Sequence, residues 1–196
     1  MPRTRYLAGA ITAALLFSAS ASATDFSNVI VFVDSLSDGG NIALASGSPV
    51  PMRFTTNPGT TTAENVAAGL GFTLAPSVAG GTDFAWGDAG FVNNVAAVPT
   101  IPQQLQMYLG ANGGKADSRA LYQVWGGAND VFYLSAALTD PNAIAAGTVT
   151  AAQTELGLLG GLQAAGARYV VVYNLPDLGK TPSAAAGGAA AQAGAT

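Results

Sequence analysis

NVIVFVDSLSDGGN, Asn28 to Asn41, is the stretch on which the fold turns. Val29 to Val33 is apolar without a break and mostly β-branched, where a strand with one wet face would alternate. Such a run marks a strand buried on both faces, the habit of parallel sheets. It ends in a polar, Gly-rich turn that leaves Ser35 just past the strand's carboxyl end. In open parallel sheets that end is where ligands bind.

The same pattern recurs downstream. Thr82 to Trp86 precedes Gly-Asp, Ala120 to Trp125 precedes Gly-Gly, and Arg168 to Asn174 is closed by Leu-Pro-Asp; each is expected to be a strand. Helices are expected between them over Thr61–Leu70, Ile101–Ala111 with Pro102 in its first turn, Asp130–Leu138, and Asn142–Ala165 after an Asp140-Pro141 entry. Strands alternating with helices imply βαβ units and a mostly parallel α/β sheet.

A chain of 196 residues suits one domain with a sizeable core. Only 9% of residues are charged and 49% are hydrophobic, which fits a packed protein rather than a disordered one. Arg3 and Arg5, the apolar run Tyr6–Phe17 and the small residues Ser18–Ala23 have the three-part layout of a secretory signal peptide, cut after Ala23. That apolar run is shorter than the ~20 residues of a membrane-spanning helix. Two of the seven basic residues lie in this leader, so five face eleven acidic ones in the remainder, a net charge of −6. An acidic chain without a basic cluster speaks against nucleic acid as a partner. There is no cysteine, hence no disulfide framework or thiolate site, and no histidine. From Ala184 to Thr196 the chain is an Ala/Gly-rich tail, expected to start a helix that frays.

Three post-strand turns carry groups suited to acyl transfer, which needs a nucleophile, a base and donors aimed at the developing oxyanion. Ser35 offers a hydroxyl near a following helix N-terminus, Gly87 a backbone N–H, and Asn129 a side-chain amide. Taken singly, a Gly-rich turn is more often a tight connection and an Asn-Asp pair a helix cap. Asp34 and Asp38 are expected to serve local turn hydrogen bonds. EF-hand spacing fails, since Leu36 and Ala45 fall where calcium ligands are needed.

In this order the blocks VFVDSLSDGGN (Val31–Asn41), DFAWGDAG (Asp83–Gly90) and VWGGANDVFYL (Val124–Leu134), with VVVYNLPDLGKTP (Val170–Pro182), resemble the GDSL lipases and esterases, or SGNH hydrolases, and most closely bacterial outer-membrane autotransporter esterases. The resemblance covers roughly residues 27–186. It implies a flavodoxin-like three-layer α/β/α domain over residues 24–183, with strand order 2-1-3-4-5 and its last strand missing. It also implies Ser35 as nucleophile, Gly87 and Asn129 as oxyanion-hole donors, and no cofactor or metal. The substrate would be a small-molecule or lipid ester, and a C-terminal outer-membrane barrel is expected only in a full-length form. The leader implies export to the periplasm, cell surface or medium.

The chain departs from the family pattern in several places. Val33 stands where the family has the Gly of GDSL, and strain is expected if the turn needs a positive φ there. Asp88 replaces a frequent second glycine. The family's Asp-x-x-His block follows a fifth strand, and neither is present. Lys115 and Lys180 lie in loops without the burial that would make a lysine a base. This chain alone is therefore expected to be inactive, and Tyr169–Tyr173 to be an unprotected, aggregation-prone sheet edge. The alternative is a non-catalytic acyl- or glycan-binding protein. A nucleotide-binding domain lacks both GxGxxG and GxxxxGK[ST].

Overall fold

The structure, a computed structural model, describes residues 25–55 and 58–188. The leader expected at 1–23 and most of the Ala/Gly tail lie outside the described residues. Along the chain come β1 (Val29–Phe32), α1 (Asn41–Ala45), α2 (Thr62–Gly69), α3 (Ile101–Ala111), β2 (Leu121–Val124), α4 (Ala128–Ala137), α5 (Pro141–Ala165), β3 (Tyr169–Val172) and α6 (Pro182–Ala186). Single 3₁₀ turns fall at Ser77–Ala79 and Leu178–Lys180.

The strands form one parallel sheet in the order β1-β2-β3, with Val29 opposite Leu121 and Leu121 opposite Tyr169. Residues 82–86, expected to be a strand, run along the free side of β1 but make only an isolated bridge there. Val31 N–H donates to Thr82 O at 3.1 Å, and Val31 and Val33 O accept from Phe84 and Trp86 N–H at 2.9 and 3.2 Å. The outer side of this segment is taken by a turn, with Asp83 bonded to Ala75 and Ser77, so no further ladder extends it. With the segment counted, the spatial order is the expected 2-1-3-4, consistent with a flavodoxin-like α/β fold.

Alternation along each strand builds two cores. Ile30, Phe32, Tyr122 and Val124 face α3 and α5 and pack with Ile101, Leu105, Tyr108, Leu158 and Leu162. Val29, Val31, Val33 and Leu121 face α2 and pack with Ala63, Ala67 and Ala85. Burying a side chain such as Ile101 or Leu162 contributes about 1.5–3 kcal/mol. β1 and β2 are buried along their whole length, whereas β3 is exposed, Tyr169 by 38% and Val172 by 43%. Among the described residues no strand pairs with its outer edge.

Helix ends follow local chemistry. Thr61 and Glu64 make a capping box for α2, and Thr100 and Gln103 one for α3, whose second residue is Pro102. Asp140 caps α5 through Asn142 N–H at 2.9 Å, with Pro141 at its first position. α1 and α4 instead start at Gly40 (φ 132°) and Gly127 (φ 100°), backbone conformations that L side chains rarely adopt. Both glycines lie in the post-strand turns that build the site.

Candidate active site

β1 ends at Phe32, Val33 continues the extended chain, and residues 35–37 form the turn. Val33 does not carry the expected strain: among the described residues the one non-glycine at positive φ is Asp88 (φ 65°). Val33 is buried with Val29, Val31 and Ala63, so its β-branched side chain adds to the α2-side core. Its backbone is held by the buried amide of Gln104 in α3. Gln104 Oε1 accepts from Val33 N–H at 3.1 Å and its Nε2 donates to Val33 O at 3.0 Å. A side chain thus completes the ladder where the strand stops.

Ser35 is half-buried, and among the described residues no side chain hydrogen-bonds its hydroxyl. Asp34, beside it, is buried and accepts from Leu36 N–H at 3.0 Å, the local turn bond expected. Burial pushes its carboxyl up to about 6, against the pull of the Leu36 N–H and helped by the carboxylates of Asp130 and Asp88.

Asp38 does more than a local turn bond. Its carboxylate accepts from Gly40 and Asn41 N–H at 2.8 and 2.6 Å, from Ile42 N–H at 3.3 Å, and from Gly87 N–H at 2.9 Å. Two features of the site follow from these bonds. The Asn41 and Ile42 N–H groups at the start of α1 are engaged by Asp38. The Gly87 N–H is likewise donated to Asp38.

The loop after Gly87 is pinned from α4. Asn129 Nδ2 donates to Ala89 O at 2.8 Å; an amide nitrogen carries two hydrogens, so a second N–H remains. Asp130 is fully buried and accepts from Phe91, Val92 and Asn93 N–H at 2.7, 2.9 and 2.7 Å. It clamps a distant loop rather than capping its own helix. Asp88, within this loop, holds the left-handed conformation for which glycine is the ordinary choice, and aspartate is among the side chains that tolerate it.

Asn41 and Asp83 knit the first block to the second. Asn41 Nδ2 donates to Asp83 O and Ala85 O, both at 2.8 Å, and its Oδ1 accepts from Ser77 Oγ and Val78 N–H. Asp83 accepts from Gly39 and Ala85 N–H at 2.9 and 3.0 Å, while burial pushes its carboxyl up to about 8. Asp38, Asn41, Asp83 and Asp130 therefore lash together the turns that carry Ser35, Gly87 and Asn129 at the carboxyl end of β1 and β2.

Gln104, Asp83 and the tertiary role of Asp130 escaped the sequence reading. The one legible signal was Gln104 itself, a polar residue in the buried stripe Ile101, Leu105, Tyr108 of α3. Lys180 pairs with Asp177 at 3.2 Å in the turn after β3, an exposed position. Among the described residues no group of three or more His, Cys, Asp or Glu side chains is arranged to hold a metal, and no helix is long and apolar enough to cross a membrane.

No family model matches the chain. Lipase 1 of Photorhabdus luminescens is 34% identical to it over 175 residues, which cover 86% of this chain and 25% of that protein. An uncharacterized protein in the trpE-trpG intergenic region of Pseudomonas putida is 46% identical over 74 residues, 37% of this chain and 11% of that protein. The chain thus spans about a quarter of the length of the lipase it resembles. The likeness, which runs along most of this chain, supports a lipase or esterase family.

Proposed function

We propose that this chain carries the nucleophile-bearing part of a serine ester hydrolase of the GDSL/SGNH kind, with Ser35 as nucleophile and Asn129 as the principal oxyanion donor. What carries the proposal is the convergence of three separate blocks through the Asp38–Gly87, Asn129–Ala89 and Asp130–loop bonds. The lipase likeness supports the ester as substrate.

In the proposed reaction Ser35 Oγ attacks the acyl carbon and gives its proton to a base. The negative charge collects on the former carbonyl oxygen, where the second Asn129 N–H donates to it. Gly87 joins only when its N–H swings from Asp38 or is shared with it. Collapse expels the alcohol, which takes the proton back from the base. Water, deprotonated by the same base, then splits the acyl-serine and releases the acid.

The sequence holds no histidine, so the base is proposed to come from an Asp-x-x-His segment outside these 196 residues. The likeness covers 25% of the lipase relative, whose remaining length leaves room for it and for an outer-membrane barrel. Export through the leader ending at Ala23 belongs to the same proposal. It is checked by the N-terminal residue of the mature protein.

A second possibility, acyl binding without turnover, is favoured by the engaged Gly87 N–H. One experiment separates the two. The gene is read past codon 196 to its stop, and the protein it encodes is assayed on short p-nitrophenyl esters with and without Ser35→Ala. A downstream Asp-x-x-His with a loss on the order of 10⁴-fold or more in Ser35→Ala supports hydrolysis. Full turnover in Ser35→Ala overturns the nucleophile assignment, and a stop at codon 196 with no turnover favours binding alone.

A further inference from the structure

We propose that the cleft between α1 and the 50–54 loop is the acyl-chain subsite of this centre, an inference that rests on the ester-hydrolase reading. The cleft has a volume of about 600 Å³ and is walled by Ile42, Ala43, Met52 and Phe54. That volume falls within the range of small-molecule sites.

It adjoins the reactive loop directly. A Cβ on Gly87 would lie 2.7 Å from Ile42 Cδ1 and 2.8 Å from Phe54 Cζ, so the cleft wall is packed against the Gly87 backbone. An alanine there would have to displace that wall, which explains a glycine at a position whose φ does not demand one.

The lining suits a neutral chain. Met52 and Phe54, which line the cleft, are large apolar side chains left 63% and 51% exposed. Contiguous apolar exposure marks ligand grooves and interaction sites, whereas exposed apolar side chains scattered singly need no explanation. The one charged lining residue, Arg53, has its Nε held by both Glu64 oxygens at 2.6 and 2.8 Å, so its charge is already answered.

The loop is built rather than loose. Glu64 also accepts from Thr61 N–H at the start of α2, Phe54 N–H reaches Asp38 O at 3.4 Å, and Pro51 packs on Gly40. Asp38 therefore ties the cleft loop and Gly87 together.

The experiment uses the full chain carrying Ser35→Ala and a series of methyl alkyl ketones of five to eleven carbons, neutral and without a scissile bond, titrated calorimetrically. Affinity is expected to rise about two- to fourfold per methylene until the cleft is full. Phe54→Ala is expected to weaken the longest ketone about tenfold, and Ala43→Trp, which fills the cleft, to flatten the series. Both variants are checked for unchanged melting, and Phe54 is exposed enough to be removed without unfolding the protein.

Affinity that ignores chain length overturns the assignment. So does affinity that responds to Ala151→Trp in the smaller cavity of about 140 Å³ beside α5 but not to the Phe54 and Ala43 variants. Chain-length-dependent binding without ester turnover by the encoded protein that carries both Ser35 and a downstream Asp-x-x-His retains the subsite and removes the hydrolase reading. Turnover indifferent to chain length does the reverse.

Discussion

Replacing Asp130 by alanine tests whether one buried carboxylate holds the loop that follows Gly87. The side chain is fully buried and accepts three backbone N–H groups from residues 91–93. Phe91 is buried, so its N–H loses its acceptor without gaining water, at about 1–3 kcal/mol. Val92 and Asn93 lie nearer solvent and lose only a net bond, about 1 kcal/mol each. Release from burying a charge offsets part of this, which leaves a net loss of about 3 kcal/mol. For a chain of this size that is a melting point lower by roughly 6–12 °C. Urea unfolding followed by far-UV circular dichroism measures it, with Asp140→Ala as control. Asp140 makes one cap bond, at 2.9 Å, worth about 1 kcal/mol. An Asp130→Ala variant no less stable than Asp140→Ala refutes the clamp. Amide exchange at residues 91–93 should also accelerate selectively in Asp130→Ala.

The folded protein should lose stability as pH rises from about 4 to 8. Asp34 and Asp83 are pushed up to about 6 and about 8, so the native state keeps protons that the unfolded chain has already released. Each contributes a slope of up to about 1.4 kcal/mol per pH unit between its unfolded and folded pKa. Urea midpoints at pH 5, 7 and 8 check this, and Asp83→Asn should flatten the upper part; a midpoint that climbs from pH 5 to 8 contradicts it. Gln104→Leu should cost about 2–4 kcal/mol, because the buried Val33 N–H loses its partner while volume is nearly kept. A denaturation midpoint equal to wild type would show that the ladder does not need its side-chain completion. Asp88→Gly should stabilise by up to about 1 kcal/mol and Asp88→Val destabilise, since only the backbone conformation at φ 65° separates them; the order of their melting points decides it.

Local pattern carried far in this protein. Helix α3 runs over the expected residues, with Pro102 in its first turn, and α5 starts one residue before its expected bound, at Pro141. β1, β2 and β3 fall within their expected stretches: β1 and β3 are apolar and mostly β-branched, and β2, interrupted by Gln123, is bounded by its Gly-Gly turn. α1, five residues long, and the 3₁₀ turns are too short to show a period. Residues 82–86 look like a strand but pair only on the side that faces β1.

The sequence by itself determined the α/β class and the positions of β1, β2 and β3, and it put Ser35, Gly87 and Asn129 in turns that follow extended segments. Only the tertiary structure decided what those groups are bonded to. Asp38 reaches Gly87, Asp130 reaches residues 91–93, and Gln104 reaches Val33, across separations of 49, 37 to 39, and 71 residues. A turn's own residues state its conformation, but the partner of a buried carboxylate or amide depends on which other turn the packed sheet brings beside it. Low-dielectric burial then makes that choice binding, because a polar group left unpaired there costs more than any local preference gains.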